Sequence, residues 1–249
     1  MTVEIMPGCE PFSVAGGPNG VLVLHGFTGN PTSVRALAEL AQKAGHSVEL
    51  PRLPGHGTTL EDMMGTTWTD WSNAAMLAYD DLASRCERVV VVGLSMGGAL
   101  GAWVAEQRAV AGCVFINPLV KPPVQEIEDG LAQLIEAGLE TIDSIGSDIK
   151  KEGVAELSYP GTPLRCAQSL FSALHDVEVN LVKITAPILL ISSREDHVVT
   201  SDNGDALIQK VSGPIERIWL ENSFHVATMD NDRELVESST MAFVDRVLA

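Results

Sequence analysis

Gly93-Leu94-Ser95-Met96-Gly97 is a G-x-S-x-G pattern set between the apolar run Val89–Val92 and a helical pattern. A sharp strand-to-helix turn at that point lifts a serine Oγ clear of the backbone. The flanking glycines leave room for the strained turn and for close strand–helix approach. A serine held this way can attack a carbonyl carbon, provided a base takes its proton and an acid orients the base. In the chain order serine, acid, histidine, Asp196 follows the apolar run Ile188–Ile191 and His225 follows the run that ends at Leu220. His25-Gly26-Phe27-Thr28-Gly29 comes just after the first apolar run. It can aim the backbone N–H of Phe27 at the carbonyl oxygen. The N–H of Met96, at the start of the elbow helix where the dipole favours negative charge, is the second donor. This chemistry calls for no metal and no organic cofactor.

Competing residues fit less well. Glu195 neighbours Asp196 but points the other way on an extended loop, and His197 is too local to be held across from Asp196. His46 opens a strand on the wrong side of the sheet. No strand end fixes His56, in the Pro/Gly loop, or His175. His25 reads as a structural histidine that orders its own loop.

Apolar runs of four to six residues alternate with helical patterns and must position these groups. Val21–Leu24 reads as a strand buried on both faces, as in a parallel sheet covered by helices. Asn30 and Pro31 then open a helix that stops at Gly45. Ser47–Leu50 is the next strand, leading into the Pro/Gly-rich loop 51–57. A helix from Trp68 to Leu82, the strand Val89–Val92, a helix from Gly97 to Gln107 and the strand Cys113–Ile116 follow. Between Pro118 and Ile184 only helical patterns stand out, at 124–137 and 170–182, and Tyr159 to Cys166 carries no assignable pattern. The alternation then resumes with strand Ile188–Ile191, a helix near 205–211, strand Ile215–Leu220 and a closing helix from Leu235 to Leu248. The fold class is α/β, a mostly parallel, doubly wound sheet with a small helical insertion. Residues 1–117 and 185–249 form the core, and 118–184 form a cap, or lid, beyond the C-terminal strand ends where such sheets bind ligands.

Composition narrows the partners. The 249 residues include 16 Lys+Arg against 33 Asp+Glu, a formal net charge of −17, which repels phosphate backbones and anionic headgroups. Nucleic acid is excluded as a partner, whereas a small neutral substrate is not penalised. The four cysteines form no CxxC, so neither a zinc site nor a redox pair is expected. No basic, apolar leader opens the sequence, and glycines interrupt the longest apolar run. The expectation is a cytoplasmic chain with no stable membrane anchor. Homodimerisation is left open.

The segments HGFTG (25–29), PRLPGHGT (51–58), GLSMGG (93–98), DSIGSDIK (143–150), EDHVV (195–199) and HVAT (225–228) together resemble the α/β-hydrolases, and among them bacterial monoacylglycerol lipases and carboxylesterases. The resemblance spans nearly the whole chain, and DSIGSDIK is its narrowest part. It implies Ser95 as nucleophile, His225 as base, Asp196 as orienting acid, and Phe27 and Met96 as the oxyanion hole. It also implies a cap that shapes an acyl tunnel and a glycerol pocket, with Asn117, Ile145 and Glu156 as substrate-binding residues. The substrate would be a small lipid ester. A general short- or medium-chain carboxylesterase, a thioesterase or lactonase on the same triad, and an inactive hydrolase-fold binding protein are the alternatives.

Overall fold

The computed structural model describes residues 3–144 and 146–249. Along the chain come β1 (Phe12–Val14), β2 (Asn19–Leu24), α1 (Arg35–Lys43), β3 (Ser47–Leu50), α2 (Leu60–Met64), α3 (Trp68–Arg85), β4 (Arg88–Leu94), α4 (Met96–Ala105) and β5 (Gly112–Ile116). An insertion holds α5 (Gln125–Glu136), β6 (Thr141–Asp143), β7 (Gly161–Pro163) and α6 (Leu164–Asn180). The chain closes with β8 (Ile188–Ser193), α7 (Asp202–Lys210), β9 (Ile215–Leu220) and α8 (Arg233–Leu248). Seven strands form one sheet in the order β1-β3-β2-β4-β5-β8-β9, parallel throughout except that β1 pairs antiparallel with β3 at the edge.

Period-two alternation divides the sheet between two cores. Val21, Val23, Val90, Val92, Val114 and Ile191 pack with Leu37 and Ala41 of α1 and with Val236, Phe243 and Val244 of α8. Their neighbours Leu22, Leu24, Val91, Phe115 and Leu190 pack on the other face with Trp71 of α3, Leu100 of α4, Leu170 and Leu174 of α6, and Leu207 of α7. Each such side chain contributes about 1.5–3 kcal/mol by leaving water, so the central strands form a rigid platform. Asn30 caps a 3-10 turn, Pro31–Ser33, by accepting from Thr32 N–H. The helix that the Asn-Pro signal announces therefore starts only at Arg35.

The insertion differs from expectation in three respects. It contains strands: β6 and β7 pair antiparallel, but at three residues each and with sequences TID and GTP they carry no apolar alternation. The second helix begins at Leu164 rather than Leu170, because Cys166 and Ala167 extend its buried face by more than one turn. That helix also belongs to the main core, with Cys166, Leu170, Leu174 and Val177 buried among residues of α3 and α4. α5 stands off the sheet and packs on α6 through a small cluster of Leu131, Leu164 and Ala167.

Candidate active site

Among the described residues three non-glycines take positive φ: Thr28 at 59°, Ser95 at 58° and Asn117 at 41°. They follow or close β2, β4 and β5 at their C-terminal ends, where a doubly wound sheet opens its crevice. Each such conformation costs on the order of 1–3 kcal/mol and persists only where its surroundings hold it. At Ser95 the hold is visible. Its N–H donates to Ile116 O at 3.0 Å, and its carbonyl accepts from Gly98 N–H at 2.8 Å and Leu119 N–H at 3.1 Å. Both glycines of the elbow are obligatory for closeness. A Cβ at Gly93 would stand 2.1 Å from Gly97 O, and one at Gly97 would stand 2.1 Å from Leu24 O. These are backbone atoms that cannot step aside.

His225 and Asp196 arrive from the ends of β9 and β8. The His225 Nδ1–H donates to Asp196 Oδ2 at 2.8 Å, with side chains only 8% and 4% exposed. That bond places the ring proton on Nδ1 and leaves the Nε2 lone pair free to accept. Asp196 is itself fixed, since its Oδ1 accepts from the N–H groups of Val198 (2.9 Å) and Val199 (2.7 Å). Ser95 and His225 line one cavity. Among the described residues no hydrogen bond joins them, a contact that commonly tightens only with substrate in place. Glu195 turns outward to Lys150 at 2.9 Å, and His197 pairs with Asp148 rather than Asp196.

The loop after β2 lies against the serine: a Cβ on Gly26 would be 3.3 Å from Ser95 Cβ. Among the described residues no protein acceptor takes the N–H of Phe27 or of Met96. Both donors, one on the loop against the serine and one on the residue after it, are thus without a protein acceptor, as a group meant to receive an oxyanion must be. The Met96 side chain is buried in the core, so only its backbone can take part. Phe27 packs edge-on against Trp71, ring centroids 5.6 Å apart, and His56 lies 5.4 Å from Trp71. His25 orders this loop, as its position suggested. Its Nδ1–H donates to Gly26 O at 3.0 Å and its Nε2 accepts from Leu53 N–H at 3.2 Å. Burial, with His56 beside it, holds His25 well below the ordinary imidazole range, and burial lowers His56 to about 4. Both rings are uncharged at neutral pH.

The cavity lining is mixed. Leu119, Ala167, Leu170, Phe171 and Val198 contribute apolar surface, while Thr28, Asp148, Ser158 and Glu156 supply polar groups. Glu156 is not an exposed cap residue. A Cβ on Gly29 would stand 2.8 Å from Glu156 Oε1, so the carboxylate is seated on the loop that carries Phe27. Burial raises its pKa, against a downward pull from His225 and the Ser33 hydroxyl. Asn117 does not line this cavity, contrary to its expected substrate contact. Its Nδ2 donates to His225 O (2.8 Å), Ser193 Oγ (3.0 Å) and Phe224 O (3.4 Å), and its Oδ1 accepts from Ser193 N–H at 2.7 Å. The side chain is consumed in tying β5 to β8 and to the His225 loop. Ile145 lies outside the described residues.

Two residues essential to this geometry escaped the sequence reading. Asp230, 1% exposed, accepts four backbone N–H groups, from Lys150, Lys151, Phe224 and Asn231, and so joins the insertion to the His225 loop. Tyr159, in the stretch without pattern, accepts from Thr58 N–H at 3.0 Å and donates to Gly55 O at 2.7 Å, bracing the Pro/Gly loop. Neither has a local signature, because the partners that tie Asp230 to the insertion and Tyr159 to the Pro/Gly loop lie 79 to 104 residues away. Asp148 belongs to a recognisable segment, but nothing in its spacing shows where its carboxylate goes.

Comparison with known proteins agrees with this geometry. The model of the Alpha/beta hydrolase family matches residues 21–238. A thermostable monoacylglycerol lipase of Bacillus sp. is 41% identical over 244 residues, covering 96% of this chain and 95% of the relative. A carboxylesterase of Bacillus subtilis is 27% identical over 241 residues, covering 96% and 97%. A solved structure of a metagenome-derived lipolytic enzyme superposes with a TM-score of 0.92 at 42% identity, covering 98% of this chain and all of that one. The chain belongs to the alpha/beta hydrolase family.

Proposed function

We propose that this chain, a carboxylic ester hydrolase, cleaves monoacylglycerols to glycerol and fatty acid through an acyl-enzyme on Ser95. His225 Nε2 takes the Ser95 proton as Oγ attacks the ester carbonyl, with Asp196 holding the ring through Nδ1. The N–H groups of Phe27 and Met96 stabilise the oxyanion, and each such donor is worth about 3–4 kcal/mol in the transition state. His225 then returns the proton to the leaving alcohol, and water activated by the same nitrogen releases the acid.

The observation that carries the substrate is the Glu156 carboxylate, half-buried in the lining of the same cavity as Ser95 and His225 and seated against Gly29. A carboxylate beside the scissile bond gains nothing from a simple alkyl ester. It accepts hydrogen bonds from the free hydroxyls of a glyceryl ester, each worth about 1.5–3 kcal/mol when charge-assisted. The apolar wall of α6 residues Ala167, Leu170 and Phe171 suits the acyl chain. The Bacillus relative named as a monoacylglycerol lipase supports the same reading.

The test compares 1-monolauroylglycerol with methyl laurate, which has the same acyl chain and no hydroxyls. Glu156→Ala should lower kcat/KM on the glyceryl ester by roughly ten- to hundredfold and spare the methyl ester. Ser95→Ala should abolish turnover of both. Equal losses on the two esters, or none, would leave the chain a general carboxylesterase.

A further inference from the structure

We infer that Asp148, on the insertion, is a positioning residue that sets the loop of the catalytic base against the loop of its acid. The inference rests on the ester-hydrolase reading above. Asp148 Oδ2 accepts from the backbone N–H of His225 at 3.1 Å and from that of His197 at 3.2 Å. One oxygen atom thus bridges the residue after Asp196 to the base itself. Its Oδ1 lies 2.8 Å from His197 Nδ1, and its backbone carbonyl accepts from Val226 N–H at 3.1 Å. The Asp148 side chain is only 11% exposed, so water competes weakly for these bonds.

A reciprocal contact reinforces the junction. Asp230, beyond His225, takes the N–H groups of Lys150 and Lys151 on the insertion together with that of Phe224. Lys150 Nζ lies over the Phe224 ring and pairs with Glu195. The segment 148–151 is therefore clasped to both loops that carry the acid and the base. The insertion is part of the mounting of the catalytic histidine as well as a wall of the cavity. Asp148 need not touch the substrate to matter, because an ångström-scale misplacement of a group in a catalytic constellation is costly even when its cause lies outside the chemistry.

Hydrolysis of p-nitrophenyl butyrate and the rate of Ser95 labelling by a fluorophosphonate probe test the inference, with a melting curve for each variant. Asp148→Ala should lower kcat by up to about 100-fold, the cost of an ångström-scale misplacement. KM should stay unchanged, and probe labelling should slow in parallel. Asp148→Asn keeps an oxygen that accepts both N–H groups and should recover most of the loss, which a mere requirement for charge would not allow. If alanine fails to fold, Asp148→Ser, too short to bridge the two amides, is read by the same outcomes. Wild-type kcat in the alanine or serine variant would overturn the inference. So would a raised KM with kcat and labelling intact, because Asp148 would then be a substrate contact. A wild-type chain that neither turns over the ester nor reacts with the probe would overturn the ester-hydrolase reading first, and this one with it.

Discussion

Replacing Asn117 separates a positioning role from a substrate contact. Asn117→Ala would strand two buried groups at once, the Ser193 N–H and the His225 carbonyl, because Phe224 O retains Ser193 Oγ as a donor at 2.8 Å. Each stranded group costs about 1–3 kcal/mol. Alanine also lacks the tolerance of asparagine for the left-handed backbone at φ 41°. A total near 3 kcal/mol corresponds, for a chain of this size, to a fall in Tm of about 6–12 °C. Activity should fall as well, since the released carbonyl belongs to the base. The loss should be the same on 1-monolauroylglycerol and on methyl laurate, because Asn117 does not reach the cavity. Asn117→Asp keeps the acceptor for Ser193 N–H but sets a carboxylate against the carbonyls of His225 and Phe224. It should be the more damaging change at neutral pH and should improve on acidification, when the protonated acid can donate once. The assay is kcat/KM on the two esters beside thermal melting at pH 7.5 and pH 5. A selective loss on the glyceryl ester with an unaltered Tm would refute the reasoning and return Asn117 to the substrate pocket.

Asp196→Asn should preserve the fold and lower kcat by a factor approaching ~10⁴, since the amide favours the wrong imidazole tautomer. Glu195→Gln, at an exposed carboxylate that pairs with Lys150, should be mild in the same kinetic assay. Phe27→Pro should cost about 3 kcal/mol in the transition state beyond Phe27→Ala, because only proline removes the N–H facing the oxyanion. Equal kinetic damage in two variants with native circular dichroism would place the donor elsewhere. Stability should fall between pH 6.5 and about 4, because His25 and His56 stay neutral in the folded protein while the unfolded chain takes up their protons from pH 6.5 downward. For His56 alone, at 1.36 kcal/mol per pH unit, the loss reaches about 3 kcal/mol. Urea titrations across that range measure the slope, and a His56→Gln variant with an undiminished slope would contradict the assignment.

Glu156 shows how much of this was legible in the sequence and where legibility stopped. The resemblance marked it as a pocket residue, but whether its carboxylate faced water or the cavity depended on Gly29, 127 positions earlier, against which it is seated. The strand–turn–helix around Ser95 could be read directly, because an apolar run, two glycines and a helical pattern are local facts with local physical causes. The ends of β8 and β9 placed Asp196 and His225 for the same reason: strand periodicity locates a strand end, and the parallel sheet brings such ends together. The short β6–β7 pair and the early start of α6 were not legible. Three-residue strands have no period, and the buried face of α6 is defined by packing against α3 and α4. The largest revisions came from side chains that bond far along the chain. Asn117 meets its partners 76 to 108 residues away, Asp148 meets His225 77 residues away, and Asp230 reaches back 80 residues to Lys150. Hydrogen-bonding capacity is written in a residue's type, whereas its partner is chosen by whichever groups the folded chain leaves within about 3 Å. The sequence alone thus located Ser95, Asp196 and His225 at the ends of their strands, together with the sheet that carries them. Tertiary structure alone decided that the Asn117 side chain bonds to Ser193 and the His225 loop, and that Asp148 of the insertion meets the His225 and His197 amides, because only the folded chain brings these groups within bonding distance.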